Sequence, residues 1–167
     1  MRGFQLWVNL PAREKMTDPR YQEFAPDRIP VAHPAAGVEV KVIAGRVGDT
    51  AGPIAQPATD PLYLDIALEP GTAWQYLLPE GHNAFAYVFE GALTVGEGED
   101  ARPLESREMA VLGGGDALSL RAGNGGARLI LVAGRPLREP VARHGPFVMN
   151  TRQELMQAFV DFQEGRF

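Results

Sequence analysis

The sequence predicts an all-β fold, a β-sandwich or barrel of short strands with one helix at the carboxyl end. Three observations support this prediction. Glycine and proline supply 19 and 14 of the 167 residues, which favours tight turns over long helices. Short segments with a strand period recur along most of the chain at intervals of about 8–12 residues. Only residues 151–167 carry a helical pattern.

Composition limits the possible functions. Apolar residues make up 45% and charged residues 22% of the chain, as in globular proteins. The absence of cysteine excludes disulfides, thiolate metal sites and a cysteine nucleophile. A net charge of −5 argues against direct nucleic-acid binding. No apolar run approaches about 18 residues and no signal-peptide core is present, so we expect a soluble, cytoplasmic protein without membrane contact.

The first part of the chain differs from the rest. Apolar residues occupy every second position from Phe4 to Leu10, which predicts a strand over residues 4–10. Residues 11–37 show no period and contain five prolines. A stretch this long without structure usually links two bodies or lies along a surface. We therefore predict an amino-terminal strand and proline-rich linker over 1–37, typical of the later part of a larger protein.

The central part, residues 38–150, reads as alternating strands and turns. Glycine-rich segments such as 113–115 and 123–126 separate the strands. Asp65 interrupts an apolar strand, and the alternation places it on the outward face. The predicted strands are 38–43, 62–68, 73–78, 85–89, 92–95, 109–112, 117–120 and 128–133.

The end of the chain predicts a helix. Thr151 and Glu154 have the spacing of a capping box, and Gly165 is a suitable stop. A helix this short is marginal alone, so its aromatic residues must pack on the β body or on a partner. One apolar stripe at helical spacing contains Leu155, Ala158, Phe159 and Phe162.

The sequence offers no catalytic or metal-binding motif. The three histidines, His33, His82 and His144, are each isolated, and no His-x-His or His-Glu-x-x-His occurs. They read as surface or turn histidines, although His82, between two aromatic strands, could cap the mouth of a barrel. Ser106 and Ser119 lack the Gly-x-Ser-x-Gly context of a nucleophile. We therefore predict no catalytic and no metal-binding residues.

Aromatic residues suggest the one candidate binding site. Trp74, Tyr76, Tyr87 and Phe89, together with His82, could line a small-molecule pocket inside a barrel. Core packing explains the same residues, and both interpretations stay open here.

A short basic stretch contains Arg135, Arg138, Arg143 and His144. It reads either as a solvated loop or as a patch that contacts a partner or an anionic group. The acidic residues of 97–108 read as a solvated hairpin.

Three strings make the chain resemble the pirin family. Residues 4–11 (FQLWVNLP), followed by Lys15 and Pro-x-Tyr-Gln at 19–22, are similar to the segment that joins the two halves of pirins. Residues 87–91 (YVFEG) are similar to a strand and turn of the carboxyl-terminal cupin domain. Residues 145–151 (GPFVMNT) are similar to the terminal motif.

The resemblance implies a cupin-type jelly-roll β-barrel, also called a double-stranded β-helix, over 38–150, followed by the helix over 151–167. Full pirins carry two such barrels, and iron sits in the amino-terminal one, held by three histidines and a glutamate that have no counterpart here. Some bacterial pirins open the flavonol quercetin with dioxygen, and eukaryotic pirin binds transcription regulators in the nucleus.

The resemblance also implies that this chain holds no iron. A metal-binding cupin places His-x-His shortly before the strand at 87–91, where this chain has Leu77 and Pro79. The second cupin motif ends in a histidine, where this chain has Gly125, Gly126 and Ala127. We expect iron only in the absent amino-terminal barrel, with His82 as the one possible remnant of a ligand set.

Two functions are therefore expected. The first is a carboxyl-terminal cupin module without metal or catalysis of its own, which serves structure, interaction or small-molecule binding. The alternative is one part of a pirin-type quercetin 2,3-dioxygenase whose iron-binding barrel is missing from this chain. The expected partners are a second copy, a separate amino-terminal cupin chain or a protein regulator.

Overall fold

A computed structural model describes residues 3–56 and 58–166 and divides the chain into two compact units. One unit comprises Met1–Tyr21 and Leu137–Phe167, and the other comprises Gln22–Pro136. The strands are β1 Val31–Ala35, β2 Val38–Ala44, β3 Arg46–Val47, β4 Thr50–Ala51, β5 Leu62–Leu68, β6 Ala73–Leu77, β7 Asn83–Val95, β8 Arg102–Glu105, β9 Met109–Val111, β10 Ala117–Gly134, β11 Ala142–His144 and β12 Phe147–Met149. The α-helix α1 is Arg152–Gln163.

The unit Gln22–Pro136 is built on one eight-stranded antiparallel sheet. The strand order is β1-β2-β5-β10-β7-β8, with β6 paired to β10 and β9 paired to β7. Strands β3 and β4 form a small separate hairpin. The prediction of a mainly β protein with one carboxyl-terminal α-helix is confirmed.

The long strands β7 and β10 each replace two predicted strands. Gly91 and the glycines of 123–126 predicted breaks between strands, but the ladder continues through both places with register shifts. Gly91 has a φ of 69°, and a Cβ there would lie 2.1 Å from the carbonyl oxygen of Gly126. Glycine thus bends the paired strands without ending them, because it adopts backbone angles that side chains oppose.

The buried core of this sheet unit consists mainly of aliphatic side chains. Inward positions of β2, β5, β7 and β10 alternate with outward ones, as in β5, where every second residue is buried. Such a core is packed as densely as an organic crystal. The largest fully buried side chains of this unit are Leu62, Leu64, Ile66, Leu129, Leu131, Val40, Val42 and Val88.

The predicted strand over residues 4–10 is wrong. The structure gives these residues no β-ladder, and the neighbouring regular element is a short 3-10 turn at Ala12–Glu14. The consecutive residues Trp7 and Val8 are 69% and 51% exposed, so the alternation does not separate a buried face from an exposed one. A period of two identifies a strand only where a neighbouring strand accepts its backbone hydrogen bonds.

Strand β1 lies within the segment predicted to be a linker. Val31 and Ala32 pair with Lys41 and Val40 of β2, so the sheet begins before residue 38. The predicted boundaries after residues 37 and 150 therefore differ from those of the two compact units, which fall after 21 and after 136. The five prolines of residues 11–37 argued against a strand in this segment. The strand forms because proline is tolerated in an edge strand such as β1.

The predicted helix is confirmed at its start. Thr151 is the N-cap, its side chain accepts from the backbone N–H of Glu154, and the Glu154 side chain accepts from the backbone N–H of Thr151. The rings of Phe159 and Phe162 lie 4.8 and 5.7 Å from that of Phe147 in β12. The aromatic residues of α1 thus pack on the β11–β12 hairpin, which the sequence analysis did not predict. Within the described residues, no helix is both long and apolar enough to cross a membrane.

Candidate functional site

A cleft of about 530 Å³ lies in the sheet unit, beside the ends of β2 and β6. This volume falls in the range of small-molecule sites, about 300–1,000 Å³. Its polar side chains are those of Arg46, Gln56, Asp60 and Tyr76. The Tyr76 hydroxyl donates to the carbonyl oxygen of Arg46 at 2.7 Å, and burial raises the pKa of this phenol. The tyrosine therefore joins β6 to the start of β3 at the cleft wall.

His82 lies in the turn between β6 and β7, as the sequence analysis predicted. Its side chain is only 3% exposed. Nε2 lies 2.9 Å from the carbonyl oxygen of Asp60 and 3.3 Å from its Oδ2, and Nδ1 lies 3.2 Å from the carbonyl oxygen of Glu80. Both ring nitrogens thus face oxygen atoms, and the imidazole joins the turn to the loop that precedes β5.

Asp60 is the residue of this cluster that the sequence analysis missed. Its carboxylate contacts His82 and also accepts from Nη2 of Arg135 at 3.4 Å. The backbone of Asp60 has a φ of 44°, an angle that non-glycine residues seldom adopt. Asp60 and Arg135 are 75 residues apart, so no local pattern predicts their contact. The sequence signal at this place was the dipeptide of Asp60 and Pro61, which favours a turn.

The cluster of His82, Asp60 and Arg135 anchors loops. A carboxylate beside an imidazole orients it, and in catalytic sites a nucleophile follows on the other ring nitrogen. Here that nitrogen faces the backbone carbonyl of Glu80. Among the described residues that line the cleft there is no serine, threonine, cysteine or lysine. The geometry therefore suits a structural role, in which the cluster holds the loops together beside the cleft.

The aromatic residues expected to line one pocket lie on different faces of the sheet. Trp74 and Tyr76 share one face of β6, pack against the core cluster and have ring centroids 5.5 Å apart. Tyr76 lines the large cleft, whereas Trp74 lines a smaller one of about 250 Å³. Of the five predicted lining residues, Tyr76 and His82 therefore lie at or beside the large cleft.

Tyr87 and Phe89 lie on the outer face of β7. They alternate with Ala86 and Val88, which are fully buried in the core. The guanidinium of Arg128 lies 5.0 Å from the centre of the Phe89 ring. These two aromatic residues cannot share an interior cavity with Trp74 and Tyr76, because successive strand residues point to opposite faces.

The histidines do not assemble into an iron site. His33 is exposed on β1, His82 contacts Asp60, and His144 lies in β11, with its ring 5.4 Å from that of Phe159. Within residues 3–56 and 58–166, no three histidine, aspartate or glutamate side chains come close enough to hold a metal ion. The donor set of iron in pirins, three histidines and a glutamate, therefore does not fit the described residues.

Comparison with known proteins connects this fold to one family. The model of the pirin carboxyl-terminal cupin domain matches residues 63–167. The Pirin-like protein of Caulobacter vibrioides is 51% identical over the whole chain, and the Pirin of Homo sapiens is 39% identical over 98% of it. The chain spans 59% of the first protein and 56% of the second.

Solved structures show the same relation. The crystal structure of a quercetin 2,3-dioxygenase from Acinetobacter baumannii, 37% identical, covers 96% of this chain with a TM-score of 0.86, and the chain covers 55% of that protein. GK1651 from Geobacillus kaustophilus, 29% identical, covers 81% with a TM-score of 0.69. The cupin-type fold expected from the resemblance is thus confirmed. The chain belongs to the pirin family and carries its carboxyl-terminal cupin domain.

Proposed function

We propose that this chain is the structural and interaction half of a pirin-type protein and neither binds metal nor catalyses a reaction by itself. The observation that carries the proposal is the aliphatic interior of the sheet unit. Leu64, Ile66 and Leu129 are fully buried there, at positions that face the inside of the fold. A metal centre needs nitrogen or oxygen donors that converge on open space, and aliphatic side chains supply neither.

Metal content and turnover of the chain test this proposal. The purified chain is incubated with Fe²⁺ without oxygen, passed through a desalting column and analysed for iron, and quercetin consumption is then followed in air. We expect less than one iron per chain and no consumption above that of free iron. One iron per chain bound with submicromolar affinity would overturn the proposal. His82→Ala, compared with His33→Ala on the exposed β1, would then show whether His82 holds it.

The second candidate is a part of a quercetin 2,3-dioxygenase. The named function of the Acinetobacter relative, together with a TM-score of 0.86, favours it. In that case the iron-binding barrel is supplied by a separate chain or by coding sequence upstream of Met1. An in-frame His-x-His segment upstream supports this function for the whole protein. Quercetin turnover by this chain only when it is co-expressed with such a barrel would support it directly.

We further propose that an amino-terminal cupin domain contacts the outward face of α1. Met156 and Val160, one helical turn apart, are 65% and 40% exposed. An exposed apolar helix face suits contact with another protein, and the relatives contain a further two-fifths of their length outside the match. Sedimentation velocity of the chain with and without that domain, for Val160→Glu and the wild type, tests the contact. Dimers of the chain alone that Val160→Glu dissociates would instead assign the face to a second copy.

A regulatory protein partner and a cytoplasmic location remain predictions from the sequence. Affinity for a regulator would be measured with the purified chain, and location by imaging of a tagged chain in its own cells.

A further inference from the structure

A second cleft, of about 460 Å³, lies within the unit formed by Met1–Tyr21 and Leu137–Phe167. Most of its lining residues are apolar, and they include Trp7, Phe147 and Met149. Trp7 is 69% exposed, so its indole is open to solvent. The cleft is of the size that takes a small molecule rather than a folded partner.

Two cations, Lys15 and Arg143, line this apolar cleft, and no carboxylate does so among the described residues. Lys15 Nζ donates to Asn9 Oδ1 at 2.6 Å and to the carbonyl oxygen of Val148 at 3.0 Å. An ammonium group has three protons to donate, so one remains after these two bonds. The guanidinium of Arg143, which is exposed on β11, has no hydrogen bond or ion pair within the described part of the chain, although its backbone pairs with Val148 in the β11–β12 ladder.

Over residues 3–56 and 58–166, the lining of the cleft holds no carboxylate, although Glu139 and Glu154 lie close enough to act electrostatically on Lys15. Glu139 and Glu154 attract Lys15 electrostatically, yet burial outweighs this attraction and lowers the pKa of the lysine. Both carboxylates are used elsewhere. Glu139 accepts from the backbone of Ala12 and from the Asn150 amide, and Glu154 is held by the helix cap. A positive, apolar cleft in a chain of net charge −5 is therefore a local feature and not a property of the whole surface.

We propose that this cleft binds a small organic carboxylate with a flat apolar body, such as an aromatic acid. The carboxylate lies between Lys15 and Arg143, whose planar guanidinium matches a carboxylate in shape and charge. The flat body lies against Trp7 and Met149, because an indole stacks on rings and a thioether adapts to irregular shapes. The site is separate from the sheet unit, so the proposal does not depend on the structural role given to that unit.

Nuclear magnetic resonance with 2-naphthoate as the probe tests the site. The chain has two tryptophans, Trp7 and Trp74, and Trp7→Phe assigns their indole signals. We expect the Trp7 signal to shift on titration, with a Kd of roughly 0.1–1 mM for a ligand of this size, and the Trp74 signal to stay. Absence of saturable shifts at Trp7 up to several times that concentration overturns the proposal.

Matched ligands and variants separate charge from simple apolar contact. The uncharged 2-naphthamide has nearly the same shape and is expected to bind about threefold to tenfold more weakly. Arg143→Gln is expected to weaken 2-naphthoate binding by a similar factor. Arg152→Gln, the same change outside the cleft in the same unit, is expected to leave it unchanged. Equal binding of acid and amide, or equal effects of the two variants, contradicts the carboxylate site, as does tighter binding of inorganic phosphate than of 2-naphthoate.

Discussion

Asp65 shows what alternation along a strand can and cannot predict. Its position between buried Leu64 and Ile66 places it outward, as the sequence indicated. There its two carboxylate oxygens accept from Nη2 of Arg128 at 3.2 and 2.9 Å, and Arg128 also covers the Phe89 ring. The partner lies 63 residues away on β10, so only the pairing of β5 with β10 could bring the two together.

The Asp65–Arg128 pair is expected to stabilise the protein modestly. Arg128 is 39% exposed and Asp65 is 22% exposed, so water screens part of their attraction. In a double-mutant cycle with Asp65→Asn and Arg128→Met, we expect a coupling energy of about 0.5–1 kcal/mol. Urea unfolding of the four proteins measures it. A coupling energy indistinguishable from zero would show that the ion pair contributes nothing to stability.

At the scale of the element, the helix α1 depends on its capping box. Thr151→Ala removes the oxygen that accepts from the Glu154 backbone N–H, so we expect the helix to lose about 1 kcal/mol of stability. The ¹³Cα chemical shifts of residues 152–163 measure the helical population. Thr94→Ala, a matched change on β7, should leave those shifts unchanged, and an equal loss in both variants would rule out the cap as the cause.

The same cap predicts a dependence on pH. Hydrogen bonds from the side chain and backbone of Thr151 lower the pKa of Glu154 from its ordinary value of 4.5. A carboxyl group whose pKa is lower in the folded state than in the unfolded state stabilises the helix at pH values above the unfolded-state pKa. This stabilisation is lost as the pH falls through the folded-state pKa. Glu154→Gln should therefore reduce helicity at neutral pH, and its effect should shrink as the pH falls below the ordinary value of 4.5. The exposed Glu97→Gln is the control, and a difference that grows in acid would contradict this sign.

The bend of β7 against β10 depends on Gly91. Alanine there would place its Cβ 2.1 Å from the Gly126 carbonyl oxygen, so backbone must move, and we expect a loss of at least about 2 kcal/mol. Gly71 has nearly the same φ, 71°, but a Cβ at that position would meet no heavy atom within 4 Å, so Gly71→Ala should cost about 1 kcal/mol from backbone strain alone. Thermal unfolding compares the two. Equal losses would mean that the close approach is not what requires glycine at 91.

At the scale of the whole molecule, the aliphatic core is expected to determine stability. Leu129 is fully buried, and Leu129→Ala is expected to cost roughly 2–5 kcal/mol because it leaves a cavity. Val111 is 76% exposed, and Val111→Ala should change stability by less than about 0.5 kcal/mol. Denaturant unfolding measures both. A small loss for Leu129→Ala would indicate an interior with spare volume, and would weaken the structural role proposed for this chain.

The fold was largely predictable and the candidate site largely was not. Strand β5 was predicted at its observed bounds, because one face is buried and alternation is a local property. The strand over 4–10 was predicted by the same rule and is absent, because alternation does not show whether a neighbouring strand is available, and the described residues give this segment no β-ladder. Asp60 and His82 come together only in the folded chain. Tyr87 does not line the expected pocket, because its position in β7 places it on the outer face of the sheet.

The sequence alone determined the β-rich class, the capped helix and the pirin resemblance. Strand periodicity, the helix cap and the motif strings each involve residues that are close together in the sequence. Only the tertiary structure decided which distant residues come together: Asp60 contacts His82, Asp65 contacts Arg128, and Lys15 and Arg143 line one cleft. The physical reason is that such contacts arise from strand pairing and loop closure between distant residues, and the free energy that selects them belongs to the whole packed core.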